Sequence, residues 1–294
     1  MSSLVQSTPA PPRRVLFATD FSPSSELAAQ YAIELCHRYK SILNTVTVVP
    51  QEVTDSVQPP DPFFLRHAAE RKMANFVRAE RLAGIEHHEM VIEGFVANVI
   101  LKLIPRLSIN VVVLGTHGHG GIKKLVLGSL AEEVVNSASC PILTVGPQVS
   151  PRPAKNAGLR KILCATNLIH GWTRALSCAL WLAEQEHATL SILHVLPVSA
   201  VAQEGNPQAQ RTSAAERFAQ LLPPEANSRA AIEFVVEVGA APESILRVAA
   251  ERDADLIVLG AHASRNPRIA SHLPGRMTHH VIRHASCPVL TVRD

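Results

Sequence analysis

Short apolar runs rich in β-branched residues alternate along the chain with stripes of helical spacing. Arg14-Val15-Leu16-Phe17-Ala18-Thr19 reads as a buried strand that ends in Asp20. Ser22 then serves as N-cap with Pro23 at the first helical position, opening a helix with Leu27, Ala28, Tyr31, Ala32 and Leu35 on one face. Ile42 to Val49 predicts a second strand, Pro59-Pro60 a loop, and Phe64 to Ala83 a longer helix. His87 to Glu93 follows as strand three and Val96 to Leu107 as helix three. Val111 to Leu114 is the fourth apolar run and Pro141 to Val145 the fifth, with Leu130, Val134 and Val135 marking a helix between them. Strictly alternating strands and helices require right-handed crossovers, and so predict an α/β fold with a parallel sheet covered on both faces.

The second half of the chain repeats the first. Arg14 to Asp20 (RVLFATD) returns as Lys161 to Asn167 (KILCATN), and Thr47-Val48-Val49-Pro50 as His194-Val195-Leu196-Pro197, both 147 positions on. Val112-Val113-Leu114-Gly115 returns as Ile257-Val258-Leu259-Gly260 at an offset of 145, and Ser139 to Val145 as Ser286 to Val292 at 147 again. Four matches in one order indicate a duplicated domain. We read residues 1–12 as a disordered Pro-rich leader, 13–147 as the first domain, 148–158 as a linker and 159–294 as the second domain. The offsets place a two-residue insertion in the second copy between positions 260 and 286.

Composition narrows the function. A hydrophobic fraction of 47% is that of a globular protein, and an aromatic fraction of only 4% leaves the core to Val, Leu, Ile and Ala. The formal net charge of +3, without a Lys/Arg-rich block, argues against nucleic acid as a partner. No apolar run reaches the length of a membrane span, and the first residues lack the apolar core of a signal peptide. Cys36, Cys140, Cys164, Cys178 and Cys287 show no CxxC spacing and sit mostly in apolar runs, as reduced core cysteines of a cytoplasmic protein do.

The candidate chemistry lies between Gly115 and Val145. Gly115, Gly118, Gly120 and Gly121 follow the fourth strand, and Gly128-Ser129 precede the next helix, with Ser129 as N-cap and Glu132 and Glu133 in its first turn. A strand, a glycine loop and a helix N-terminus together form an anion site, because free amide N–H groups and the positive helix end converge. The bland alternative is a tight loop with a helix cap. In an open sheet of order 3-2-1-4-5, strands one and four are neighbours, so Asp20 and the glycine loop meet at the point where strand order reverses. One loop then offers amides to phosphates and the other a carboxylate to hydroxyls or an amine, the division of labour that a nucleotide needs. No Walker loop occurs, and the glycines stand in the wrong half of the sheet for a dinucleotide fingerprint.

Gly115-Thr116-His117-Gly118, nine residues, then Gly128-Ser129 resembles the GxxG-x9-G[S/T] pattern of the universal stress protein family without a mismatch, and Ala18-Thr19-Asp20-Phe21-Ser22 is similar to its strand-one opening. The resemblance covers the chain as two tandem copies. It implies, in each, an open five-stranded parallel sheet of the adenine-nucleotide alpha-hydrolase-like type. It further implies ATP at an intact motif, with Asp20 and the backbone of Val48 at the adenosine end and Leu114 and Gly115 along the ribose. Gly118, Gly128, Ser129 and the amide of Leu130 would then cradle the phosphates, with Mg²⁺ travelling on them. The second copy departs from the pattern: Asn167 stands for Asp20, Ala263 for Gly118 and Arg276 for Ser129. One nucleotide per chain is therefore expected, with Arg276 filling the vacant phosphate position or binding a different anion.

Several residues carry two readings. His117 and His119 are metal ligands or polar loop residues, and no Cys or carboxylate partner lies near them in sequence. Lys123 and Lys124 screen a triphosphate or are a solvated pair. Two function classes follow. One is an ATP-binding regulatory module with an unknown protein partner, working by population shift. The other is a slow ATPase or autophosphorylating enzyme with Ser129 or Thr116 as acceptor. A purely structural stress protein with an empty first site is the third reading. The resemblance also implies association through exposed strand-five edges near Val145 and Val292, so that the copies pair as an intramolecular pseudo-dimer and two chains form a homodimer.

Overall fold

In a computed structural model, residues 10–50, 62–78, 81–116, 129–151, 158–167, 173–199, 206–222, 230–261 and 274–293 are described. The chain divides into two compact units, one spanning Pro11–Pro147 and one running from Gln148.

The first unit runs β1 (Arg14–Ala18), α1 (Pro23–Tyr39), β2 (Ile42–Val49), α2 (Pro62–Phe76), β3 (His87–Glu93), α3 (Val96–Arg106), β4 (Val111–Gly115), α4 (Ser129–Ser137) and β5 (Ile142–Val145). Its strands are all parallel in the order β3-β2-β1-β4-β5. The second unit repeats the pattern with β6 (Lys161–Ala165), α5 (Arg174–Glu186), β7 (Thr189–Leu196), α6 (Pro207–Leu221), β8 (Ala231–Val238), α7 (Ala241–Glu251), β9 (Leu256–Ala261), α8 (Pro274–His284) and β10 (Val289–Arg293). Its order is β8-β7-β6-β9-β10, again parallel throughout. The duplicated doubly wound fold expected from the alternation is present in both.

Both central strands are buried on each face, which is why they read as continuous apolar runs: Val15, Leu16 and Phe17 are fully buried, as are Ile162, Leu163 and Cys164. α1 follows its predicted start. Ser22 has extended backbone and accepts from Ser25 N–H at 3.3 Å, while Ala28, Ala29, Ala32 and Cys36 are buried. α3 buries Ala97, Ile100, Leu103 and Ile104, the one-sided stripe of a helix lying on a sheet. The thiols of Cys36, Cys140 and Cys178 are each pushed up to about 12 by burial, so none is a thiolate at neutral pH, and none of the five cysteines is in a disulfide.

The repeat extends to backbone details that the sequence matches do not show. Asn110 Oδ1 accepts from the backbone N–H of Arg13 and of Arg14, each at 2.9 Å, pinning the start of β1 to the turn before β4. Asp255 Oδ2 does the same for Arg160 and Lys161 at 2.8 and 3.0 Å. Gly94 (φ 149°) and Gly239 (φ 159°) each donate to the last residue of the neighbouring strand, Val49 and Leu196, at 3.0 Å. The first helix of each unit ends on a left-handed residue, Lys40 at φ 53° and His187 at φ 52°. Neither is glycine, so each carries Cβ strain. Lys40→Gly and His187→Gly are each expected to stabilise their unit by about 1 kcal/mol, read as a rise in the urea midpoint.

Two expectations change. α2 covers Pro62–Phe76 rather than continuing to Ala83. Beyond it Leu82 and Ile85 turn into the core, 2% and 8% exposed, around Gly84 at φ 78°, which a continuous helix would not permit. α4 begins at Ser129, so the residue read as its N-cap is the first residue of the helix.

Candidate functional site

The first unit has a cleft of about 560 Å³ at the carboxyl ends of β1, β2 and β4, the size of a pocket for a small organic ligand. Its floor is Ala18 to Phe21 after β1 and Leu114 to Thr116 at the end of β4. Val46 to Pro50 form one wall, while α2, α3 and the first residues of α4 close the sides. This is the switch point between β1 and β4, from which the chain goes on through α1 to β2 on one side and through α4 to β5 on the other.

Asp20 reaches this place by local chemistry. Thr19 N–H still pairs with Val46 carbonyl at 2.9 Å, so the strand ladder persists to that residue. The chain then turns sharply: Phe21 adopts φ 61°, its N–H donates to Thr19 Oγ1 at 2.9 Å, and Ser22 N–H donates to Asp20 Oδ1 at 2.9 Å. Thr19 Oγ1 and Ser25 Oγ lie 3.0 Å apart beneath the turn. Asp20 is exposed and lines the cleft.

Val48, Leu114, Gly115 and Leu130 join Asp20 around the cleft. Gly115 has a role that its motif does not reveal. A Cβ there would stand 2.9 Å from both the carbonyl carbon and oxygen of Ser24 and 3.0 Å from the Ser25 nitrogen. The absence of a side chain lets the start of α1 close directly over the end of β4. Gly118, Gly128, His117, His119, Lys123 and Lys124 lie outside the described residues, as do Ala263 and the side chains of Ser129 and Arg276. Thr116 is 2% exposed, and its hydroxyl is directed at the Val145 carbonyl, 3.4 Å away.

Sequence reading missed Thr19, Ser25, Phe21 and Lys72, all of which line the cleft. The signal for Lys72 was present: Leu65, Ala68, Ala69 and Lys72 repeat at helical spacing, so one face of α2 must carry them together. Among the described residues no helix is long and apolar enough to cross a membrane.

The second unit differs at the same rim. β6 ends before Asn167, and α5 starts only after Thr173, which caps it by accepting from Leu176 N–H at 3.2 Å. The position matching Ser22 would be residue 169 (22 + 147), so the equivalent helix opens four residues later than α1 does. His194 stands at the position of Thr47. Its Nδ1 lies 3.0 Å from the Thr166 carbonyl, which can only accept, so Nδ1 carries the proton. Burial pushes the His194 pKa down, against the hydrogen bond to Thr166 that holds it up, and the ring is neutral at pH 7.

Comparisons with known proteins agree with this architecture. The universal stress protein family model matches residues 12–146 and again 158–293. Universal stress protein G of Salmonella typhimurium is 35% identical over 133 residues, covering 41% of this chain and 87% of that protein. A universal stress protein of Methanocaldococcus jannaschii is 26% identical over 140 residues, 45% of this chain and 81% of that one. Among solved structures, a universal stress protein from Archaeoglobus fulgidus superposes with a TM-score of 0.67 at 18% identity over 96% of this chain and 98% of its own. One from Pseudomonas aeruginosa gives 0.61 at 20% identity, over 96% and 93%. With two copies of the fold and the family model matching each of them, the chain belongs to the universal stress protein family.

Proposed function

We propose that the first unit binds ATP and that the protein is a nucleotide-dependent regulatory module of the stress response, working in the cytoplasm through a protein partner. The observation that carries this reading is the cleft at the β1–β4 switch point, with the Asp20 carboxylate on its floor and apolar walls around it. Asp20 and the Val48 backbone hold the adenosine end, and Leu114 and Gly115 border the ribose. Gly118, Gly128, Ser129 and the Leu130 amide take the phosphates with their Mg²⁺, at the positive end of α4. Nucleotide binding shifts the population of conformers and so changes the surface that a partner meets.

Binding without turnover is favoured by the acceptor side. The Thr116 hydroxyl is buried and directed at a backbone carbonyl. Among the described residues the cleft lining carries one carboxylate, Asp20, where phosphoryl transfer calls for further groups to orient an attacking water.

Denaturing the purified protein and separating any released nucleotide by chromatography tests the reading. About one ATP per chain is expected, with little in Gly118→Ala or Asp20→Ala. ADP in place of ATP would favour the slow ATPase. Two nucleotides per chain would show that the second unit binds as well, and none after incubation with ATP and Mg²⁺ would remove the proposal.

A further inference from the structure

The cleft holds an arrangement that the family motif does not call for. Phe21 lines it in a left-handed backbone conformation, φ 61°, where a bulky residue is strained. Lys72 faces Phe21 from α2, its Nζ 5.9 Å from the ring centroid. Among the described residues this ammonium forms no ion pair, although Asp20 lies in the same lining. One side chain comes from the floor, in the turn after β1, and the other from the side, on the third turn of α2.

Position decides which end of a nucleotide they meet. α2 packs against β2 and β3, on the side of β1 away from β4 and α4. The phosphate end lies toward α4, so Lys72 stands at the end where the base belongs. An aromatic base placed between ring and ammonium needs roughly 7 Å, two contact distances of about 3.5 Å each. The present separation of 5.9 Å comes within about 1 Å of that, a change that a lysine side chain makes by rotamer adjustment alone. Val96 and Ile100 supply apolar contact from α3.

We propose that Phe21 and Lys72 clamp the base of the bound nucleotide, the ring stacking on one face and the ammonium covering the other. The proposal rests on nucleotide binding in the first unit. The strained turn is then the means by which the ring is aimed into the cleft, and the cation–π contact seen without ligand closes the slot until a base replaces it.

Affinities of the full chain for ATP and for adenosine, measured by calorimetry, test it. Phe21→Leu keeps a non-glycine residue at the turn and is expected to weaken both ligands by the same factor, roughly tenfold, with Phe21→Trp restoring both. Lys72→Gln, at an exposed position, is expected to weaken both by about threefold. Unchanged affinities in Phe21→Leu would overturn the clamp. So would a Lys72→Gln loss confined to ATP, because that would place the ammonium on the phosphates. An unmodified chain that binds neither ligand would instead remove the nucleotide reading, and the clamp with it.

Discussion

Phe17→Ala is expected to destabilise the first unit by about 3–5 kcal/mol, the largest effect of any single truncation in it. Phe17 is fully buried in the central strand, paired in register with Thr45 on one side and Val113 on the other. Its ring stacks on Phe76 at 5.5 Å, and that contact ties the end of α2 to the sheet. Removal leaves a cavity that two neighbouring strands cannot close, and it also frees the helix that carries Lys72. Nucleotide affinity should therefore fall along with the melting temperature of that unit, measured by calorimetry. Equal stability in the variant would mean that the core repacks around the gap. The second unit has Cys164 at the matching position and places its aromatic pair elsewhere, Phe218 on α6 against Phe234 on β8 at 4.4 Å. There the aromatic contact joins α6 to the outer strand β8 rather than a helix to the central strand.

Gly115→Val should cost about 1–3 kcal/mol and abolish ATP binding at concentrations that saturate the unmodified chain. A Cβ at this position meets backbone, not a flexible side-chain end, so α1 must move away from β4 to admit it. That shift displaces Ser24 and Ser25, and through the Thr19–Ser25 hydroxyl contact it disturbs the turn that presents Asp20. Gly115→Ala should show the same losses in smaller measure. The check is a urea titration beside a nucleotide-binding isotherm for both variants. Full affinity in Gly115→Val would show that the glycine is needed neither for packing nor for the ligand.

The architecture was largely legible because its signals are local. Strands buried on both faces leave unbroken runs such as Val111 to Leu114, and Ser22-Pro23 announces a helix start by capping and by a fixed φ. His87 to Glu93 was read at its observed limits although its residues are mostly exposed or half-buried. Errors came where tertiary contacts overrule periodicity. The helical pattern runs on past Phe76, yet the core requires Leu82 and Ile85, and a turn at Gly84 delivers them. The residues that share the cleft with Asp20 were harder to see. Phe21 looks like any loop aromatic until its backbone angle is known, and Lys72 resembles a solvated helix charge until α2 is laid on β2. The cost of a side chain at Gly115 depends on Ser24, which is distant in sequence, so spacing alone suggests a ligand contact where packing is also at stake.

Asn110 and Asp255 fasten the amino ends of the central strands, a full strand length from the rim where Asp20 and Asn167 differ. Cohesion and ligand choice are thus lodged at opposite poles of each sheet. A domain built this way can lose, exchange or acquire a ligand at one pole while keeping its folded lifetime. One half of a duplicated chain is free to drift toward new chemistry while the other keeps the old, and an engineer could graft a foreign rim onto either half with the fastening left untouched.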